Sequence, residues 1–340
     1  MIHGRGAAEN PPNRFERIAY VPDPADEEDV APRTELLRDV SRSIIATNES
    51  PDIPFEASIN PYRGCESGCA YCYARPYHEY LGLSAGLDFE TKILVKMDAP
   101  ELLRSELANP KWQPKLLAMS GVTDGYQPAE RRLGITRRCL EVLAEFRNPV
   151  SIITKHHLVT RDIDVLARLA GHRAVAVTLS ITTLDGELAR ELEPRASAPA
   201  RRLAAIETLA KAGIPTGVNV APVIPGLTDH EMLPILEAAA KAGAKHAGWI
   251  MLRLPFGVAD IFEAWLAGRR PLAKDKVMNR IREIRGGRLN DPRFGSRMSG
   301  AGVFAKQVED MFRVGCARFG LNAERLELST ASFKRPGELF

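Results

Sequence analysis

From about residue 55 the chain alternates short apolar runs with amphipathic stretches at helical spacing. Apolar or β-branched runs at 56–60, 116–120, 150–154, 174–181, 216–223 and 247–252 predict six strands. Helical periodicity falls between them, near 70–80, 99–108, 129–146, 161–169, 201–212 and 229–242, and Ala-Gly pairs at 212–213 and 242–243 supply helix stops. Strand–helix–strand repetition implies an α/β fold with a parallel sheet and right-handed crossovers, either open or rolled into a barrel. In both arrangements the loops at the carboxyl ends of the strands carry the ligand sites.

The flanks follow another pattern. Residues 1–54 hold seven prolines, many charges and one candidate short helix at 34–45, which predicts an irregular arm. Beyond residue 255, Val277, Ile281 and Ile284 recur at helical spacing and Val303–Phe319 is amphipathic, which predicts a helical cap. The expected organisation is an arm (1–54), a core (55–255) and a C-terminal extension (256–340).

Composition narrows the class. Hydrophobic residues at 45% and charged residues at 26% of the 340 exclude wholesale disorder and fibrous repeats. No apolar run reaches the length of a spanning helix and the first residues are polar, so a cytoplasmic protein without membrane contact is expected. The net charge of +3 is uninformative, but residues 269–297 carry ten basic side chains against three acidic ones. Arg269, Arg270, Arg280, Arg282, Arg285, Arg288, Arg293 and Arg297 would suit phosphate contacts, or would line a solvated helix face.

Five cysteines, an odd number, argue against a disulfide framework. Three of them fall in segment 60–74, NPYRGCESGCAYCYA, with the spacing Cys65-x₃-Cys69-x₂-Cys72 just after the first expected strand. Gly64 and Gly68 allow a tight loop in which the thiolates face one another and backbone N–H groups point at their charge. An iron–sulfur cluster fits this spacing. Zinc is the rival, with His78 as the near candidate for a fourth ligand. Cys139 lies on the helical face of Ile135 and Val142, and Cys316 in the run Val303–Phe319, so both are assigned to packing.

This cysteine loop, with Tyr71 before its last cysteine, resembles that of the radical S-adenosylmethionine superfamily. The text TDGYQPAE at 123–130 is similar to that of its spore-photoproduct-lyase-like branch. The resemblance implies a partial (β/α)₆ barrel with the N-terminal arm and helical C-terminal extension around it. It also implies a [4Fe–4S] cluster on Cys65, Cys69 and Cys72, S-adenosylmethionine on the fourth iron, and an electron donor such as flavodoxin or ferredoxin. Cofactor contacts are carried over to Tyr71, Thr123, Asp124, Lys155, Ser180 and Ile224. The segment 219–229, NVAPVIPGLTD, is similar to the family's GxIxGxxE motif, with Pro222 replacing its first glycine and Asp229 its glutamate. Asp229 is expected to cap the following helix, and Glu193 and Arg195 are a candidate ion pair.

The implied reaction is reductive cleavage of S-adenosylmethionine to a 5′-deoxyadenosyl radical that abstracts a substrate hydrogen. Nucleic acid is one candidate substrate. A small molecule or peptide is another, and a metal-binding interaction protein without turnover is the alternative class. The lyase's cysteine hydrogen donor has no counterpart in residues 119–124, and no catalytic side chain is assigned.

Overall fold

The computed structural model describes residues 4–16, 32–119 and 121–336. Ser120, the expected end of the second strand, lies outside them, as do parts of the expected N-terminal arm. The ten strands among the described residues are β1 (Glu35–Arg38), β2 (Ile45–Thr47), β3 (Ala57–Ile59), β4 (Tyr62–Arg63), β5 (Lys92–Val95), β6 (Leu117–Met119), β7 (Val150–Thr154), β8 (Val175–Ser180), β9 (Thr216–Val223) and β10 (His246–Met251). All six expected strands are present as β3 and β6 to β10.

These six run parallel in the order β3-β6-β7-β8-β9-β10, and β2 adds antiparallel to β3 at one edge. Helices follow the strands in turn, giving the α/β fold expected from the alternation. Strands such as β6 and β8 are buried on both faces, which is why they read as continuous apolar runs rather than as alternation. The helix stops act as expected. At Gly213, φ is 74°, and Ile214 N–H bonds back to the Leu209 carbonyl at 3.1 Å.

Three local expectations are corrected. The helix at 34–45 is absent, because β1 and β2 occupy it. Leu36, Leu37 and Val40 have the spacing of a helical face but are exposed, so β1 pairs with β5 instead of packing an apolar stripe. The helix expected at 129–146 is two, Glu130–Leu133 and Ile135–Phe146, broken where Gly134 adopts φ 63°. The helical pattern at 70–80 yields only a 3₁₀ turn, Arg75–Leu81, because the cysteine loop occupies its first half.

Two apolar clusters matter for the site. The larger fills the space between the sheet and its helices. The second joins Cys69, Tyr71 and Ile224 to Leu252, Phe262, Val277 and Ile281. Helices Val258–Arg269 and Pro271–Ile284 therefore pack against the carboxyl end of the sheet, above the cysteine loop.

Candidate active site at the carboxyl end of the sheet

The cysteine loop leaves β4 and is pinned from three directions. Cys65 N–H bonds to the Phe89 carbonyl at 2.9 Å. The fully buried Arg75 donates to the Cys69 carbonyl at 2.8 and 3.0 Å and pairs with the buried Glu90 at 2.5 Å. Glu90 in turn accepts from the amides of Gly6 and Ala7, at 3.1 and 2.8 Å, so these two residues lie directly on the loop. A Cβ at Gly6 would stand 1.8 Å from the Gly68 carbonyl oxygen. Gly64 and Gly68 adopt φ 81° and 65°, as the tight turn requires.

The thiols are free and form no disulfide. Burial pushes Cys65 up to about 12, with Asp124 adding to the effect, and raises Cys69 and Cys72 as well. Cys72 packs against both the cluster that holds Cys65 and the cluster that holds Cys69, which places the three cysteines in one neighbourhood. Arg75, Lys155 and the backbone amides of Ala74 and Asp124 act the other way and favour thiolate. Three soft thiolates with cations and amides aimed at them fit an iron–sulfur cluster. His78 does not complete a zinc set, because its Nε2 bonds the Lys92 carbonyl at 2.9 Å and its ring packs edge-on against Phe89. Among the described residues no three His, Cys, Asp or Glu side chains are gathered to hold one metal ion; in a cubane each thiolate takes its own iron.

The loop after β6 acts as a splint for the cysteines. Thr123 donates its hydroxyl to the Tyr62 carbonyl at 2.8 Å, and Gln127 bonds Glu66 N–H at 2.9 Å and the Gly64 carbonyl at 3.2 Å. The buried Glu130 accepts from the Thr136 and Arg137 amides, starting the next helix, and from Tyr62 and Arg161. Asp124 ties this loop to the end of β7, accepting from Thr154 Oγ1 and from Lys155 N–H, both at 2.8 Å.

Lys155 and Tyr71 converge on Glu193, a residue the sequence had paired with Arg195. Glu193 is 2% exposed and accepts from Tyr71, from Arg202 and from Thr182, the last at 2.8 Å, while Lys155 Nζ stands 3.9 Å away. Burial alone would raise its pKa, but Arg202 and Lys155 outweigh burial and hold it below the ordinary value. Arg195 pairs instead with Glu66 at 3.1 Å. Ser180 is buried at the end of β8, its carbonyl held by Arg202 at 2.9 Å. Ile224 is fully buried beside Tyr71. Asp229 does not cap the following helix: its carboxylate takes Gly226 N–H at 2.5 Å and closes the turn.

His156 belongs to this assembly. Its Nε2 lies 2.8 Å from Ser67 Oγ, which accepts from Cys65 Sγ at 3.3 Å. Burial lowers its pKa. Nothing in the local sequence singled out His156, whose partner Ser67 lies on the cysteine loop, and the motif at 123–130 that contains Gln127 did not show that this side chain braces Gly64 and Glu66.

Tyr71, Asp124, Lys155 and Ile224 thus gather beside the cysteines, while Thr123 is turned to the Tyr62 carbonyl and Ser180 is held through Arg202. The sequence pattern of the radical SAM superfamily matches residues 59–239, more than half of the chain. The chain belongs to the radical SAM superfamily. It is 37% identical over 244 residues to an uncharacterized protein of Mycobacterium tuberculosis, covering 70% of this chain and 71% of that one. A radical SAM Nalpha-GlyT isomerase of Pseudomonas phage M6 is 28% identical over 189 residues, 55% of this chain and 37% of that one. Among solved structures, spore photoproduct lyase complexed with dinucleoside spore photoproduct superposes with a TM-score of 0.61 at 18% identity, covering 84% of this chain and 80% of that one, and so shares the fold. As a radical SAM protein the chain is an enzyme that uses S-adenosylmethionine, an iron–sulfur cluster and a reductant. No helix among the described residues is long and apolar enough to cross a membrane.

Proposed function

We propose that Cys65, Cys69 and Cys72 hold a [4Fe–4S] cluster with one iron open to S-adenosylmethionine, and that the enzyme abstracts a hydrogen atom from a nucleic-acid substrate. The supporting observation is the gathering of three free cysteines, Cys72 packed against the clusters of both Cys65 and Cys69, with Asp124, Lys155 and Glu193 at the carboxyl end of a parallel sheet. The cluster that Cys65, Cys69 and Cys72 would hold would supply the single electron that reductive cleavage of S-adenosylmethionine requires.

The chain's own groups bind and orient. Lys155, held by Glu193 and over the Tyr71 ring, offers its ammonium to the methionine carboxylate. Asp124 fixes the chain at the end of β7 through Thr154 Oγ1 and Lys155 N–H and would receive the methionine amino group. Ser180 would serve the ribose or the carboxylate, and the apolar cluster that Ile224 and Tyr71 share would receive the adenine. Thr123 is a positioning residue, its hydroxyl committed to Tyr62. The nucleic-acid reading is supported by the fold shared with a lyase complexed with a dinucleoside. A flavodoxin or ferredoxin is the proposed donor, and the cytoplasm, where thiols stay reduced, the proposed compartment.

Anaerobic reconstitution tests this. Wild-type protein should take up about four irons and four sulfides. Cys65→Ala, Cys69→Ala or Cys72→Ala should abolish uptake, and Cys139→Ala should not. Dithionite-reduced protein should yield 5′-deoxyadenosine and methionine. Lys155→Ala and Ser180→Ala should weaken cofactor binding, for Lys155 by about tenfold or more as a charge-assisted contact is lost, with the cluster intact. Stoichiometric zinc without iron–sulfur absorption would overturn the assignment.

A further inference from the structure

A pocket of 240 Å³ opens beside the cysteine loop, with Arg14, Tyr73, Tyr77, Arg253, Phe256 and Arg297 on its rim. Tyr73 directly follows Cys72, and its hydroxyl donates to the Gly121 carbonyl at 2.8 Å. Arg253 stands two residues beyond the end of β10, its guanidinium 4.4 Å from the centre of the Tyr73 ring. The pocket therefore lies where the loops after the first and last strands of the parallel set meet, next to the cysteines.

The charges on the rim are not equivalent. Arg14 pairs with Glu79 at 3.1 Å, Arg297 with Asp52 at 2.5 Å, and Asp291, also on the rim, is held by Arg293 and Ser296. Among the described residues Arg253 alone of these makes no hydrogen bond or ion pair. Burial, and then the nearby Arg297, lower its proton affinity, which is the condition an anionic ligand would relieve. Around it the rings of Tyr77, Tyr80 and Phe256 are 54%, 67% and 65% exposed, and Arg14 stacks 3.9 Å from the Phe256 ring. An unpaired guanidinium among exposed flat rings matches phosphate and base together: the fork binds phosphate oxygens, and the rings stack bases of any sequence.

We propose that this pocket docks a single-stranded nucleic-acid segment, with Arg253 on a phosphate and Tyr77 and Phe256 stacking adjacent bases. The proposal rests on the nucleic-acid reading above and places that substrate beside the cysteine loop. A duplex hides its base faces in the stack and does not fit a pocket of this size. Most of the basic window at 269–297 is committed to partners within the protein. Arg285 is buried and donates to the Met251 and Leu252 carbonyls at 3.3 and 2.8 Å, which holds the chain that presents Arg253. Arg270, Arg280, Arg293 and Arg297 each carry a carboxylate partner.

The test is fluorescence anisotropy of a short labelled oligothymidylate with the anaerobically reconstituted enzyme across a salt series, beside the same sequence as a duplex and a phosphoserine peptide. The single strand should bind best. Arg253→Gln should weaken it about tenfold or more and flatten the log–log salt slope by about 0.7, since one phosphate contact is lost. Arg253→Lys should keep the slope and part of the affinity. Tyr77→Leu and Phe256→Leu should weaken binding about fivefold or more at unchanged slope. Thermal melting confirms that each variant folds, and the lysine variant decides the matter if the glutamine variant does not. Wild-type affinity in a folded Arg253→Gln, equal binding of duplex and single strand, or preference for the phosphopeptide would each overturn the proposal. So would absence of oligonucleotide binding, and cofactor cleavage by the same preparation would then leave the radical chemistry standing.

Discussion

Glu193 shows how much one buried carboxylate organises. It joins Tyr71, Thr182, Arg202 and Lys155, and Arg202 is only 1% exposed. Glu193→Ala leaves that guanidinium without its counter-charge, so stability should fall by about 3–5 kcal/mol, read from the urea midpoint. His156 gives a pH signature. Burial holds its folded-state pKa below the ordinary 6.5, so the unfolded chain takes up a proton that the folded chain resists. Stability from this group is full above pH 6.5 and is lost as the pH falls toward the folded value. His78, His157 and His246 are depressed in the same direction. The urea midpoint should therefore drop between pH 7 and 5, and His156→Asn should reduce that slope. The thiols stay protonated throughout this range in metal-free protein, since burial raises all three.

Among elements, the cysteine loop depends on a segment far from it in sequence. The amides of Gly6 and Ala7 fill the carboxylate of Glu90, which holds Arg75 and through it the Cys69 carbonyl. Gly6→Ala drives a Cβ into the Gly68 carbonyl, a backbone atom that cannot yield cheaply. The expected result is faster trypsin cleavage after Arg5 and Arg14 and lower iron uptake, with the fold retained by circular dichroism. The second-strand loop is legible in sequence as a motif, yet most of its side chains turn out to be braces: Thr123, Gln127 and Glu130 hold Tyr62, Gly64, Glu66 and the next helix. A motif marks that residues are needed and does not say whether they touch ligand or hold the loop that does.

At the scale of the whole molecule, the C-terminal helices and the N-terminal residues meet across the mouth of the sheet. Arg297 binds Asp52 at 2.5 and 2.7 Å, and Val277, Ile281 and Ile284 are buried as their spacing predicted. Arg280 and Arg282 of the same helix bond Glu283 and Asn279 on their own helix, and Arg288 lies in the turn beyond it. Replacing Arg280, Arg282 and Arg288 together by glutamine should therefore change oligonucleotide affinity far less than Arg253→Gln, measured in the same anisotropy series.

Periodicity and spacing carried the parallel strands, the helix stops at Gly213 and Gly243, the cysteine loop and the buried face of Pro271–Ile284. These depend on interactions within a few residues, where propensity and pattern act directly. The partners of charged groups depended on packing across the whole chain. Glu193 reaches Arg202 rather than Arg195, Arg285 turns inward rather than toward solvent, and Arg253 meets Tyr73 from the far edge of the parallel set. A charge beside another in sequence pairs with it only if the backbone leaves them facing, and here the crossovers between strands decide that.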